Sequence, residues 1–320
     1  MRSLPSLLSA VGFGLLATFA KLAYGEGVSV DTLLLLRFGI AGAILLLLAA
    51  RAGAFSGLSR RAVAVGLAMG AIGYAAQASL YFAALTYTEA SRVALVFCTY
   101  PLLVMVAASA LGRERLSWQR LAALALALLG LTLVLGGAGA GTFNLPGVLL
   151  AGGSAVVYTA YILTGDRLAS AIPPLAFSAL VCTGAFASFT ANLVLRTGVD
   201  LDVSARGWLW VLLLVAVSTV GAIILFFVGL RLVGPTISSL LAVVEPVVTV
   251  LAAALVFGES LSSVQVAGGV LVLVAVLVVQ WARPGIERGE ATSAELGLEK
   301  DFRQPREPGA EPPEELSLRP

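Results

Sequence analysis

The chain has 320 residues, of which 59% are hydrophobic and only 12% are charged. A soluble protein carries about 25% charged residues, so this composition excludes a fully solvated surface and indicates that lipid covers most of the molecule. The net charge of +2 gives no indication of a nucleic-acid partner, and the sequence contains no histidine. Histidine general bases, metal ligands and proton relays are therefore excluded, and we expect neither a metal site nor a cofactor.

Apolar segments of about 20 residues, the length that crosses a bilayer, follow one another along the chain as far as residue 281. They predict an all-α integral membrane protein with ten transmembrane helices. The expected spans are residues 5–24, 32–50, 62–85, 90–111, 117–136, 145–164, 173–195, 207–230, 236–257 and 262–281.

The two halves of the chain match each other at a constant offset of 145 residues. Rare residues carry the match, since Pro101 corresponds to Pro246 and Glu114 to Glu259. The repeat predicts a first five-helix unit over residues 1–136 and a second over residues 145–281. Because five is an odd number of crossings, the second unit must enter the membrane upside down, which is a recurrent design of secondary transporters.

Arginine residues concentrate in one alternate set of the connecting segments. Because cytoplasmic loops carry an excess of Lys and Arg, this distribution predicts a multi-pass protein of the cell membrane with both termini in the cytoplasm. After Pro284 the composition changes to Glu, Pro and Arg with few apolar residues. Residues 285–320 are therefore predicted to form a disordered cytoplasmic tail.

Two prolines at equivalent positions of the halves, Pro101 and Pro246, predict interrupted helices near the middle of the membrane. Tyr100 precedes the first proline, and Glu245 precedes the second, about ten residues into the ninth span. Broken helices at equal depth in inverted repeats indicate a central binding site. We expect Tyr100 and Glu245 to contact the substrate, and Glu245 also to couple substrate movement to proton movement. The alternatives are packing kinks at the prolines and a structural hydrogen bond at Glu245.

Polar aromatic residues occupy one face of the third predicted helix and one face of the sixth. Tyr74, Gln77 and Tyr81 are spaced at i, i+3 and i+7, and Tyr158 and Tyr161 at i and i+3. Aromatic rings with hydroxyl tips suit amphipathic organic substrates, so we expect all five side chains to bind substrate. The alternative is ordinary packing between helices.

Lys21 and Arg37 are predicted near the outer ends of the first two spans. We expect them to form a cationic element at the outer mouth that attracts anions or pairs with Glu89. Alternatively, each side chain extends to the membrane interface. Glu114 and Glu259 each precede an expected helix, and we expect each of them to cap that helix.

Several of these residues lie in motifs whose order and spacing resemble those of one transporter family. The motifs are Phe13-Gly14 with Lys21, Arg37, Tyr81-Phe82-Ala83-Ala84-Leu85 before Ala90-Ser91-Arg92, Pro101, Glu114-Arg115-Leu116, Glu245-Pro246 and Gly258-Glu259-Ser260-Leu261. Over residues 5–281 the chain is similar to the EamA-type permeases of the drug/metabolite transporter superfamily. It departs from them at Phe13-Gly14, where the family often has Trp-Gly.

The resemblance implies ten helices around a central cavity, lined mainly by spans one, three, four, six, eight and nine. It implies movement of small metabolites, often the export of amino acids or related solutes. Dimers occur in some relatives, so a homodimer is one expectation, beside a small-molecule substrate and the lipid bilayer as partners.

Together these patterns predict a secondary active transporter that exports a small metabolite by alternating access, with proton coupling at Glu245. The alternatives are a membrane-embedded enzyme, a channel and a non-transporting membrane scaffold. An enzyme would need convergent acid–base groups or metal ligands. The sequence offers no such set, so we expect no enzymatic activity.

Overall fold

Hydroxyl and amide side chains determine where several helices begin. In the computed structural model, Ser29, Ser59, Asn144 and Ser204 each accept a hydrogen bond from the backbone N–H three residues ahead. This bond satisfies one of the backbone donors that the start of a helix leaves without a partner. Ser59 and Ser204 are separated by the repeat offset of 145 residues, so equivalent helices of the two halves begin with the same kind of cap.

The structure describes residues 2–112, 118–136, 144–168, 172–195, 203–242 and 244–281, in which helices are joined by short connections and no strand occurs. The first half contains α1 (Leu4–Gly14), α2 (Leu16–Gly25), α3 (Val30–Arg51), α4 (Arg60–Ala68), α5 (Ala75–Tyr87), α6 (Ala90–Phe97), α7 (Tyr100–Ala110) and α8 (Trp118–Gly136). The second half contains α9 (Leu145–Leu168), α10 (Pro174–Leu195), α11 (Ala205–Val215), α12 (Ala222–Leu241), α13 (Val244–Phe257) and α14 (Ser263–Trp281). The predicted tail and Glu114 lie outside the described residues.

Many of these helices join into longer apolar segments. By length and composition, seven segments of the described residues can cross a membrane, namely Leu4–Gly25, Val30–Arg51, Arg60–Tyr87, Ala90–Ala110, Leu145–Gly165, Pro174–Asn192 and Ala205–Gly229. Three shorter apolar helices, Leu121–Val134, Val244–Phe257 and Ser263–Val278, lie within the remaining predicted spans. The all-helical architecture is therefore confirmed for the described residues, and the number of ten crossings stays a prediction.

The third helical segment of each half contains a π-helical turn near its middle. One turn spans Met69–Tyr74 between α4 and α5, and the other spans Ala216–Gly221 between α11 and α12. A π-helical turn adds a residue to the helical ladder and so changes the direction of the side chains around it. The two turns hold Tyr74 and Thr219, which both line the cavity described below.

At each of the two prolines a new helix begins, whereas the sequence predicted each proline within a single interrupted span. Pro101 is the second residue of α7, after a break at Cys98 and Thr99 that ends α6. The ninth predicted span covers residues 236–257, but α12 extends to Leu241, and Pro246 is the third residue of α13. Proline fits these positions because the first backbone N–H groups of a helix have no intrahelical partner. Glu245 therefore lies in the first turn of a short helix, and not ten residues inside a long one.

Small residues bring the helices close together. Lipid tails are as apolar as leucine, so packing inside a membrane depends on close contact between helix surfaces. The interface of α8 with α14 is built around Gly130 and Gly268. A Cβ added to Gly130 would lie 2.6 Å from the Gly268 carbonyl oxygen. A Cβ added to Gly268 would lie 2.6 Å from the Gly130 carbonyl oxygen. Neither position has room for a side chain.

Candidate functional site

A cavity of about 290 Å³ lies between helices of both halves of the chain. Ten of the predicted site residues line it, namely Arg37, Tyr74, Gln77, Tyr81, Tyr100, Pro101, Tyr158, Tyr161, Glu245 and Pro246. The eleventh, Lys21, is not among the lining residues. The structure thus brings together side chains from α3, α5, α7, α9 and α13 and from the π-helical turn before α5. Their contact with a substrate stays a prediction.

The tyrosines of the cavity form a continuous aromatic network. Tyr100 and Tyr158 are in edge contact, with ring centroids 4.9 Å apart, and Tyr158 stacks on Tyr161 at 5.8 Å. The ring centroid of Tyr161 in turn lies 5.6 Å from that of Tyr74. Phe97 connects Tyr81 to Tyr100 and Tyr158, at centroid distances of 5.2, 5.2 and 5.5 Å respectively. Aromatic contacts of this geometry stabilise one another, so the rings form an ordered wall.

Arg37 is a buried cation on the wall of the cavity, with 3% of its surface exposed. Its Nε–H donates a hydrogen bond to Thr219 Oγ1 over 3.1 Å. The guanidinium carbon lies 5.0 Å from the ring centroid of Phe38 and 5.1 Å from that of Phe82. Two cation–π contacts and one hydrogen bond therefore hold the guanidinium in place.

Glu245 lines the cavity from the first turn of α13, where the chain also packs against the break between α1 and α2. Thr249 Oγ1 donates to the Gly14 carbonyl oxygen over 2.8 Å. A Cβ added to Gly14 would lie 2.7 Å from the Glu245 carbonyl oxygen. The position of Glu245 therefore depends on a glycine in the first helical segment, which lets the two backbones approach.

Gln77 lies on the cavity, but its amide group is also part of a contact between helices. Its Nε2 donates to Ser154 Oγ over 3.1 Å, and Ser154 Oγ donates to the Gln77 carbonyl oxygen over 3.2 Å. Both residues are buried. This reciprocal pair joins α5 to α9, so the packing alternative considered for Gln77 has direct support.

Lys21 and Arg37 do not form one cationic element, because Lys21 is paired elsewhere. Its Nζ lies 3.2 Å from Glu259 Oε1. The carboxylate of Glu259 also accepts from the backbone N–H of Ala90 over 3.0 Å, from that of Ser91 over 3.1 Å and from Ser91 Oγ over 2.6 Å. The pairing partner expected for the two cations, Glu89, instead contacts Arg92 at 2.9 Å.

Glu259 caps α6 and not the helix that follows it, so the prediction for this residue was wrong. The following helix, α14, has its own capping pair. The backbone N–H of Ser262 donates to Gln265 Oε1 over 2.9 Å, and the Gln265 N–H donates to Ser262 Oγ over 3.3 Å. This reciprocal pair provides hydrogen-bond partners for the backbone at the start of α14. The Glu259 carboxylate is therefore available to α6, where Ala90 lies 169 residues away in sequence.

A family model decides the class of the protein. The model of the EamA-like transporter family matches residues 4–136 and again residues 145–281. The chain belongs to the EamA-like transporter family. The match covers both halves of the chain, as the resemblance of the motifs indicated.

The fold of this EamA-like transporter also occurs among solved structures. One, described only as the crystal structure of a protein, superposes with a TM-score of 0.62 at 23% sequence identity. The superposition covers 87% of this chain and 95% of that one, and at this identity it establishes the fold alone. No curated protein gives a significant match. The family match and the apolar helices together show that the EamA-like transporter is a multi-pass membrane protein.

The residues of this EamA-like transporter that hold Arg37 and that complete the aromatic wall carry little signal in the sequence. Phe97 belongs to none of the spacing patterns, and Phe38 and Phe82 look like ordinary apolar residues of their helices. Thr219 carries a weak signal, since Ser218-Thr219 is a pair of hydroxyl residues inside a long apolar segment. In the part of the chain that the structure describes, no group of three Cys, Asp or Glu side chains is arranged to hold a metal ion.

Proposed function

We propose that this EamA-like transporter is a secondary active transporter that exports a small metabolite, such as an amino acid or a related solute, by alternating access. One observation carries the proposal: a central cavity, lined by helices of both halves, contains two charged side chains and an ordered aromatic wall. A cavity between two repeated units suits alternating access, because movement of one unit against the other exposes the cavity to each side of the membrane in turn.

The proposal includes an arrangement of ten spanning helices in two inverted units within the cell membrane, with both termini in the cytoplasm. The odd number of five spans per unit and the arginine distribution support this arrangement. It also includes the absence of enzymatic activity and of a nucleic-acid partner, and a homodimer as the assembly. Cross-linking in native membranes tests the homodimer, and labelling of cysteines introduced near each terminus tests the orientation.

Proton coupling at Glu245 is the mechanistic part of the proposal. Glu245 is the acidic side chain that lines the cavity among the described residues. A carboxyl group at this place changes its charge when it binds a proton, and this change alters its interaction with a charged solute. Alternating occupation by proton and solute would couple the entry of protons down their gradient to the export of the solute.

The test is flux through purified protein in liposomes, measured with labelled solutes and an imposed pH gradient. We expect uptake that saturates with solute concentration, responds to the gradient and returns the solute chemically unchanged. The Glu245→Gln variant should lose the response to the gradient, and Glu26→Gln, which changes a carboxylate at the end of α2, serves as its matched control. Flux that rises linearly with concentration would indicate a channel, and a modified solute would indicate an enzyme.

A further inference from the structure

Two hydrogen bonds at equivalent positions of the repeat join helices of different halves. Ser9 Oγ of α1 donates to the Ala222 carbonyl oxygen of α12 over 2.8 Å. Its counterpart Ser154 of α9 donates to the carbonyl oxygen of Gln77 in α5 over 3.2 Å, and Gln77 is the counterpart of Ala222 at the offset of 145 residues. Helices α1 and α12 therefore form one pair, and α5 and α9 form the equivalent pair.

These pairs extend into two bundles that mix helices of both halves. Helix α13 packs against α1, and α11 packs against α2, while α6 and α7 pack against α9. We call α1, α2, α11, α12 and α13 the first bundle, and α5, α6, α7 and α9 the second bundle. The first lines the cavity with Phe13, Ile223 and Glu245, and the second with Tyr81 and Tyr158. The cavity therefore lies between the two bundles.

Glu259 connects the two bundles beyond one end of the cavity. Helix α13 runs from Glu245, which lines the cavity, to Phe257, and α6 runs from Ala90 to Phe97, which also lines it. The Glu259 carboxylate accepts three hydrogen bonds at the start of α6. These bonds lie at the ends of both helices that point away from the cavity, and they hold the bundles together there.

Lys21 belongs to the same bundle as Glu259 and accompanies it. Its Nζ, 3.2 Å from Glu259 Oε1, also lies 5.6 Å from the ring centroid of Phe257. If the bundles separate, the carboxylate keeps this counter-charge and is not left as an unpaired charge. Helix α14 loses no cap either, because Ser262 and Gln265 provide it. The bonds to α6 can therefore break without disrupting the helices next to Glu259.

A second hydrogen bond joins the bundles near the same end. Tyr24, one helical turn after Lys21 in α2, donates from its hydroxyl to the Phe82 carbonyl oxygen of α5 over 3.1 Å. Because Lys21 contacts Glu259, Tyr24 and Glu259 bridge the bundles on the same side of the cavity.

The sequence does not repeat this set of bonds in the other half. The glutamate recurs as Glu114, but the counterpart of Lys21 is Asp166 and that of Ala90 is Pro235. Aspartate repels a glutamate where lysine attracts it, and proline has no backbone N–H to donate. In the proposed inverted arrangement, these counterparts lie at the opposite end of the molecule. The bonds of Glu259 therefore favour a conformation that is closed at one particular end.

Building on the proposed alternating access, we propose that Glu259 gates one end of the cavity. Its bonds to Ala90 and Ser91 hold the two bundles together in the conformation described here, and they break and form again in each transport cycle. Lys21 is a positioning residue that keeps the carboxylate directed at α6. In the proposed orientation this end faces the outside, so the gated conformation is closed to the outside.

A reversible cross-link tests whether these bonds must break during transport. Ser91→Cys and Glu259→Cys are combined in a chain that carries Cys98→Ala and Cys182→Ala, and a short bis-methanethiosulfonate joins the pair through disulfides. Saturable flux in liposomes is measured before cross-linking, after it and after reduction with dithiothreitol. We expect cross-linking to lower the flux about tenfold or more, because the bundles no longer separate at this end, and reduction to restore it.

A pair within the first bundle provides the matched control. Ser204 Oγ donates to Glu26 Oε2 over 3.1 Å and joins the start of α11 to the end of α2. Cross-linking of Ser204→Cys to Glu26→Cys should leave the flux within about twofold, because helices of one rigid body keep their contacts. Unchanged flux with the Ser91–Glu259 pair cross-linked, or arrest by both cross-links, would overturn the gate.

Labelling of the native cysteines tests the gate without any flux. Cys98 and Cys182 line the cavity, so their reaction with a membrane-impermeant maleimide reports whether the cavity is open to one side. The reaction is followed in right-side-out and inside-out vesicles, and Glu26→Cys shows in which of them the gated end faces the reagent. From that side we expect Glu259→Gln to react about fivefold faster than the wild type, because loss of the charged bonds shifts the population towards the open conformation.

Milder variants keep this measurement decisive if Glu259→Gln folds poorly. Ser91→Ala removes one of the three bonds and should raise the labelling rate from the same side by a smaller factor. Lys21→Gln should also raise it, and Lys21→Arg should restore the wild-type rate. Glu26→Gln is the matched control and should leave the rate unchanged.

Two labelling results would also contradict the gate. They are equal rates in the wild type and the variants, and rates that rise equally from both sides, as expected of general destabilisation. Absence of saturable flux for every solute before cross-linking would contradict the transport proposal instead, and the sidedness of labelling then decides the gate by itself.

Discussion

Lys21 Nζ lies 3.2 Å from Glu259 Oε1, and this ion pair joins the first half of the chain to the second. Glu259 is the less exposed partner, with 6% of its side chain accessible against 22% for Lys21. The same carboxylate accepts from Ala90 and Ser91 at the start of α6. Because the N-terminus of a helix carries a partial positive charge, Glu259 neutralises two sources of positive charge at once.

Substitution of Glu259 should therefore destabilise the protein. Glu259→Gln keeps one acceptor oxygen but removes the charge, and we expect a loss of about 2 kcal/mol in the free energy of unfolding, as for a charged hydrogen bond and a helix cap. Thermal unfolding in detergent measures this loss. Glu26→Gln changes a carboxylate with an exposed hydrogen bond to Ser204 and should cost less than about 0.5 kcal/mol. Equal effects of the two variants would contradict the role of Glu259.

The same contacts predict how stability depends on pH. Burial alone would raise the pKa of Glu259. The hydrogen bonds from Ser91, the charge of Lys21 and the Ala90 N–H outweigh burial and hold the pKa below its ordinary value of 4.5. The ionised carboxylate therefore contributes stability above about pH 4.5, and this contribution is lost as the pH falls through the lowered pKa.

Thermal unfolding between pH 7 and pH 3 checks this dependence. The Tm of the wild type should begin to fall below about pH 4.5, and the Tm of Glu259→Gln should fall less steeply over the same range. The difference between the two proteins should accordingly shrink at low pH. Parallel curves would show that other carboxyl groups account for the whole acid response.

The contact of α8 with α14 gives a prediction about packing. Gly130→Val and Gly268→Val each place a side chain against the opposite backbone, where a Cβ has 2.6 Å of space. We expect each to lower the free energy of unfolding by about 1–3 kcal/mol, as overpacked cores do, or to prevent folding. Gly152→Val is the matched control, because Gly152 is helical and has no neighbour within 4 Å of an added Cβ. If Gly152→Val were as unstable as the two variants, the loss of stability would be explained by helix propensity and not by the contact between α8 and α14.

Gly14 gives a prediction that connects packing with transport. An added Cβ at this position would lie 2.7 Å from the Glu245 carbonyl oxygen, so Gly14→Ala must displace the first turn of α13 or the end of α1. We expect saturable flux in liposomes to fall about tenfold or more, since small displacements of a positioned group have large effects on rate. Gly25→Ala, at the end of α2 in open space, should retain the flux. Undiminished flux in Gly14→Ala would show that the position of Glu245 tolerates movement.

The sequence predicted the cavity residues better than it predicted their arrangement. Spacing along single helices placed Tyr74, Gln77 and Tyr81 on one face, and all three line the cavity. It could not show that the Gln77 amide is engaged by Ser154, because that contact depends on the packing of α5 against α9. Hydropathy groups Arg37 with Lys21, because it gives the two cations a similar depth and does not show that Lys21 pairs with Glu259.

Hydropathy, the internal repeat and the motifs by themselves determined the helical class, the family resemblance and the interruption of helices at the two prolines. These features depend on the length of apolar segments and on local backbone constraints, which a sequence states directly. Only the tertiary structure decided that Glu259 caps α6 rather than α14, that Thr219 holds Arg37 and that Lys21 is outside the cavity. Each of these depends on side chains more than 160 residues apart in sequence, whose proximity is created when the helices pack together.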